Sequence, residues 1–178
     1  MENKPSQIKI AMKFGAIYGF SSVAVLLIFY LLGTDIQSKL PQWIRFSLLV
    51  LFIVLGIKAY RDESLDGFIG YGKSLGTGVL IAIFGGFITG IFTLIFFQYL
   101  APEMVQKIMD EAQKSMVEGG GYSDEQIEMA MSMTAKFMTP FWLFLFSVIE
   151  SGFMGLIFSL IISVFMKKEQ NPFNSNLG

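Results

Sequence analysis

The chain has 178 residues, 53% of them hydrophobic and 15% charged, with a formal net charge of -1 and a mean hydropathy of +0.60. It contains no His and no Cys, which excludes Cys-His zinc sites, Cys-linked haem, disulfides, thiol redox centres and Ser-His or Cys-His nucleophiles. Rhomboid-like serine proteases and HExxH metalloproteases go with them, no cofactor is implied, and the near-neutral charge gives no electrostatic case for nucleic acid.

The apolar residues come in blocks, and the blocks set the expected elements. Residues 1–13, with Lys4, Lys9 and Lys13, form a basic N-terminal tail. Residues 14–32 are charge-free and make a first spanning helix. The run is longer than a signal-peptide core and ends in Leu32-Gly33-Thr34-Asp35 without a small-residue cleavage site, so it reads as a retained helix. Residues 43–60 form a second span, with Arg45 and Lys58 only near its ends. Residues 61–73 are a charged, glycine-rich inner loop. Residues 74–100 are a third, charge-free span. Residues 101–136 follow as the one sizeable extramembrane piece, then a fourth span at 137–166 and a tail at 167–178. A hydrocarbon core about 30 Å thick needs about 20 helical residues, and helices satisfy their own backbone in lipid. The fold class is therefore an all-α membrane protein: four transmembrane helices, with an extramembrane helical hairpin between the third and fourth.

Within 101–136, Pro102 suits the first turn of a helix, and Val105, Ile108, Met109, Ala112 and Met116 recur at helical spacing. Gly119-Gly120-Gly121 breaks that helix. Ser123-x-x-Gln126 has the form of a capping box opening a second one. Seven acidic residues against three lysines fit a solvated outer surface.

Lys and Arg bias sets orientation. With both termini in the cytoplasm, the inner segments hold eight (Lys4, Lys9, Lys13, Lys58, Arg61, Lys73, Lys167, Lys168) and the outer segments five (Lys39, Arg45, Lys107, Lys114, Lys136). Tyr30, Trp43, Tyr99 and Trp142 then gather at the outer interface and Tyr60 and Tyr71 at the inner one, as aromatic belts do. The expected location is the inner (cytoplasmic) membrane, crossed four times, with the lipid bilayer as the first partner.

Glycines mark close helix contacts: Gly15 and Gly19 in the first span, Gly85, Gly86 and Gly90 in the third, Gly152 and Gly155 in the fourth. Small residues let helix backbones approach in lipid. They serve either packing within one bundle or a face for a homodimer or another membrane protein.

Two motifs carry chemistry elsewhere and not here. Gly67-Phe68-Ile69-Gly70-Tyr71-Gly72-Lys73-Ser74 matches the P-loop pattern, but a P-loop follows a buried strand in an α/β domain. Here an apolar helix and Arg61-Asp62-Glu63 precede it, so the string reads as a glycine-rich turn with Lys73 at the end of span three, and no nucleotide is expected. Met104, Met109, Met116, Met129, Met131, Met133 and Met138 crowd the outer segment. Thioethers bind Cu(I), but helical spacing without Cys or His favours packing, and no metal is expected.

Glu150 is the single ionisable residue of the fourth span, about 16 Å beyond Thr139 along the helix. An intramembrane carboxyl is a functional-site candidate by default. Ser147 and Ser151 flank it, and Thr89 and Thr93 lie at matching depth in span three. The five residues are either a proton or polar site, or a carboxyl held by hydroxyls as interhelix glue. No second membrane carboxylate, His or nearby cation completes a relay.

In order and spacing, Lys13-Phe14-Gly15 to Leu31-Leu32-Gly33, Gly56-Ile57-x-x-Tyr60-Arg61, the run from Gly67 to Ser74 and the lysines closing span four resemble an uncharacterised bacterial integral membrane family, domain of unknown function 4199. The resemblance covers nearly the whole chain. It implies four membrane helices with a soluble stretch before the last, and supplies no activity and no functional residues. The sequence reading is a small multi-pass, non-enzymatic structural, scaffold or accessory protein, with a proton-coupled transporter or channel using Glu150 as the alternative.

Overall fold

The computed structural model describes residues 4–34 and 38–168. Asp35, residues 1–3 of the expected N-terminal tail and residues 169–178 of the expected C-terminal tail lie outside the described residues. The described residues form α1 (Gln7–Leu31), α2 (Lys39–Ser64), α3 (Tyr71–Ile95), α4 (Glu103–Gly119), α5 (Asp124–Phe137) and α6 (Pro140–Met166), with a π turn, Phe96–Leu100, continuing α3. Among them there is no strand, and an isolated antiparallel bridge pairs Ile69 with Lys168.

Four of these helices are long and apolar enough to cross a membrane. With its π continuation α3 runs 30 residues, and α1, α2 and α6 run 25, 26 and 27. At 1.5 Å per residue the shortest is about 37 Å long, more than a hydrocarbon core. Their most apolar stretches have mean hydropathies of 1.9 to 2.5. Apolar side chains surround them on all sides, whereas α4 and α5 have one apolar face and one polar face.

The helix ends follow local chemistry. Ser6 is the N-cap of α1, its hydroxyl accepting from the Lys9 N–H at 3.3 Å. That cap starts the helix seven residues ahead of the uncharged run. α2 ends in a left-handed turn: the Gly67 N–H reaches the Arg61 carbonyl at 3.0 Å, with Asp66 at φ 53° and Gly67 at φ 84°. At the far end of α3, Ala101 donates to the Phe96 carbonyl at 2.8 Å, an i to i−5 bond. Pro102 comes next. It has no N–H and drives the preceding residue out of the α region, and Ala101 sits at φ −145°, ψ 58°. The π turn is how α3 closes before the proline.

The chain divides into two compact units, and α3 and α6 each contribute to both. The first is Met1–Thr89 with Val148–Gly178. Its core joins Ile10, Ala11 and Tyr18 of α1, Leu49, Ile53, Ile57 and Tyr60 of α2, Ile69 of the α2–α3 loop, and Ile81 and Ala82 of α3. Ser151 of α6 donates to the Ala82 carbonyl at 2.9 Å. The Ile69–Lys168 bridge, 2.9 Å in both directions, ties the α2–α3 loop to the residues after α6.

The second unit is Gly90–Ser147. Phe96, Ala101 and Ile127 are its buried apolar residues. Rings of Phe137, Trp142 and Phe146 pack together at 5.3 to 6.2 Å. α4 and α5 contact each other. The turn between them uses Gly120 at φ 66° and Gly121 at φ 86°, a conformation that side chains with a Cβ rarely adopt. Ser123 and Gln126 form the expected capping box, with bonds of 3.3 and 2.9 Å.

Candidate functional site

Glu150 lies in the second half of the first unit's share of the chain, about 15 Å along α6 from Pro140. Facing it from α2 is Arg45, whose Nη2 is 3.8 Å from Glu150 Oε2. The expectation that no cation stands near this carboxyl is therefore corrected. Seven residues into α2, the guanidinium reaches α6 through a long flexible stem. Nitrogen to oxygen at 3.8 Å is an ion pair and is too long for a hydrogen bond. The two side chains are 30% and 45% exposed, so their own unit covers them only partly. Arg45 Nε is buried and has no hydrogen-bond partner among the described residues. On either side of Arg45 in the chain, Trp43 meets Phe46 edge-on at 6.4 Å, and Phe46 meets Phe158 of α6 at 6.0 Å.

The hydroxyls expected around Glu150 are engaged elsewhere or lie in the other unit. Thr89 donates to the Gly85 carbonyl at 3.0 Å, one turn back in its own helix. Ser151 donates across to Ala82. Both are buried, and both hold α3 rather than the carboxyl. Thr93, also buried, and Ser147, partly buried, belong to the second unit.

The glycines face neighbouring helices. In the first unit, a Cβ on Gly15 would meet Phe84 Cβ at 2.7 Å and the Ile81 carbonyl at 2.8 Å, and one on Gly19 would meet the Gly85 carbonyl at 2.9 Å. Gly85 in turn lies against the Tyr18 ring. These contacts form an α1–α3 seam. Gly155 lies against Ala82 Cβ, and Gly78 against Ser159, forming an α3–α6 seam. A Cβ on Gly152 would keep an ordinary 3.4 Å from Ile83, and Gly86 is buried. In the second unit a Cβ on Gly90 would meet Phe144, at 3.0 Å from its carbonyl. Gly78 and Gly56, which were not among the glycines expected at helix contacts, are packed as closely; Gly56 lies against Ile81.

The P-loop string runs from the loop after α2 into the first turn of α3, and what precedes it is helix and turn. The backbone of Ile69 is taken up by Lys168. The methionines of α5 do not converge: Met129 and Met133 are exposed, while Met131 lines a cleft against α4 with Gln113, Val117, Asp124, Ile127 and Glu128. Among the described residues, no three His, Cys, Asp or Glu side chains group to hold a metal ion.

A family described as protein of unknown function (DUF4199) matches residues 13–168. The chain belongs to that family. No curated protein and no solved structure matches it.

Proposed function

We propose that this protein is a small multi-pass membrane protein acting as a non-enzymatic structural, scaffold or accessory component. α1, α2, α3 and α6 cross the inner (cytoplasmic) membrane of a bacterial cell, both termini are cytoplasmic, and α4 and α5 stand outside as an acidic hairpin. Membership in an unknown-function family and four helices of spanning length support the membrane part of this reading. The charge and aromatic asymmetries support the orientation.

The observation that carries the non-enzymatic role is the Arg45–Glu150 pair. A guanidinium is effectively always charged. Placed 3.8 Å from the Glu150 carboxyl, it ties α2 to α6. A carboxyl engaged by a cation of the neighbouring helix serves as a joint between the two helices.

One feature favours the second reading, a proton-coupled transporter or channel: at 45% exposure Glu150 is open to a third party, and its contact is long. Reconstitution separates the two. Liposomes containing the purified protein should show no flux driven by a pH gradient. Flux that disappears in a well-folded Glu150→Gln variant would establish transport instead, because Gln keeps the shape and cannot titrate.

A further inference from the structure

The glycine-rich string has no role in the reading above, yet it borders a cavity. The cavity, of about 430 Å³, lies between the α2–α3 loop and the end of α6, and is lined by Leu65, Phe68, Ile69, Gly70, Gly72, Lys73 and Lys168. We propose that it binds the phosphate headgroup of an anionic phospholipid at the cytoplasmic face. The proposal rests on the membrane reading above.

Two cations from separate segments meet at this cavity, and among the described residues no carboxylate lines it. Lys168 is set in place by the two-way bridge with Ile69, and its Nζ lies 5.5 Å from the centre of the Phe68 ring. The Lys73 backbone is fixed as its carbonyl accepts from Gln7 Nε2 at 3.2 Å and Thr77 Oγ1 at 2.7 Å. Of the nearby acids Asp62, Glu63 and Asp66, two are bonded to other cations: Asp66 to Lys4 at 2.6 Å, and Asp62 to Arg61 at 2.8 Å, although Asp62 is also within electrostatic reach of Lys168. Gly70 and Gly72 have nothing within 4 Å of where a side chain would begin, so an anion can approach the backbone closely. The first N–H groups of α3 have no acceptor within the helix and add a partial positive charge.

The walls decide between a lipid and a soluble phosphate. The side chains of Leu65, Phe68 and Ile69 offer no hydrogen bond to a ribose or base. Val164 and Phe165, four and three residues before Lys168, are exposed on the last turn of α6 and offer an apolar surface for acyl chains. Basic pockets at the cytoplasmic ends of spanning helices hold headgroups in this way.

The test is native mass spectrometry of the full-length protein, released from detergent containing equimolar dioleoyl phosphatidylglycerol and dioleoyl phosphatidylcholine. Phosphatidylglycerol should be retained preferentially. Retention should fall about fivefold for each lysine removed in Lys73→Gln and Lys168→Gln, and should survive in Lys73→Arg/Lys168→Arg and in the distant control Lys107→Gln/Lys136→Gln. Circular dichroism checks that each variant is folded. Equal retention of the two lipids, or retention unchanged in the Gln variants, overturns the proposal. So does displacement of the lipid by millimolar inorganic phosphate or ATP, which would assign a soluble phosphate site. Flotation with vesicles of phosphatidylcholine alone separates the two levels: a chain that floats without lipid preference refutes only the headgroup site, and one that does not float refutes the membrane reading as well.

Discussion

The α3–α6 seam makes a demand that one methyl group can test. A Cβ on Gly155 would overlap Ala82 Cβ, and Ala82 is wholly buried, so Gly155→Ala forces α3 and α6 apart. One turn away, the 2.9 Å Ser151–Ala82 hydrogen bond spans the same seam and would stretch. Overpacking of this kind costs about 1–3 kcal/mol. The substitution also gains about 1 kcal/mol of helix propensity, which would blur the result. Gly152→Ala is the control that removes this term. It lies in the same helix with the same propensity gain, but its new Cβ would sit at an ordinary 3.4 Å from Ile83. Gly155→Ala should therefore be about 1–3 kcal/mol less stable than Gly152→Ala. Thermal or denaturant unfolding in a mild detergent, followed by circular dichroism, measures the difference. Adding Ala82→Gly to Gly155→Ala should recover most of the loss, since it clears the clashing methyl. Two glycine variants of equal stability, or a loss that Ala82→Gly does not relieve, would refute the seam.

Three further outcomes are expected. In this Cys-free chain, Gly119→Cys should be labelled in intact cells by an impermeant thiol reagent and Ser175→Cys should not; the reverse pattern would invert the topology. Ser123→Ala should destabilise the start of α5 by about 0.5–2 kcal/mol by removing the capping box, seen as faster amide exchange from Glu125 to Glu128 with α1 unaffected. Equilibrium dialysis should find no saturable ATP binding to the wild-type protein; saturable binding lost in Lys73→Ala would restore the P-loop reading of the string.

The long helices were legible because hydropathy is a local property: uninterrupted apolar runs of this length admit few alternatives. The Ser123–Gln126 box was legible for the same reason, since both of its bonds lie within four residues. The π turn after α3 was missed, although Pro102 was its signal: Pro102 was read for the helix it opens and not for the one it closes. Ser6, the cap that starts α1 ahead of the apolar run, was also overlooked. What the sequence could not show was which helices are neighbours. Thr89 and Ser151 were read as partners for Glu150 because depth along a helix can be counted. The direction each hydroxyl faces cannot be counted, and both bond to backbone instead. Arg45 was read as an outer-end charge for orientation, and its approach to Glu150 depends on α2 lying beside α6, across 105 residues of chain. A polar residue two positions past Trp43 inside an apolar run was the one available hint.

The central claim is that Arg45 and Glu150 act as one structural tie, and a double-mutant cycle tests it most directly. Unfolding free energies in detergent would be measured for wild type, Arg45→Gln, Glu150→Gln and the double variant. Each single change leaves the remaining side chain without its partner across the helices, while the double removes both. The account predicts that the double variant costs less than the sum of the singles by about 1 kcal/mol or more, the scale of coupling between groups in direct contact. Costs that simply add would show that the two side chains do not act together, and would contradict the account.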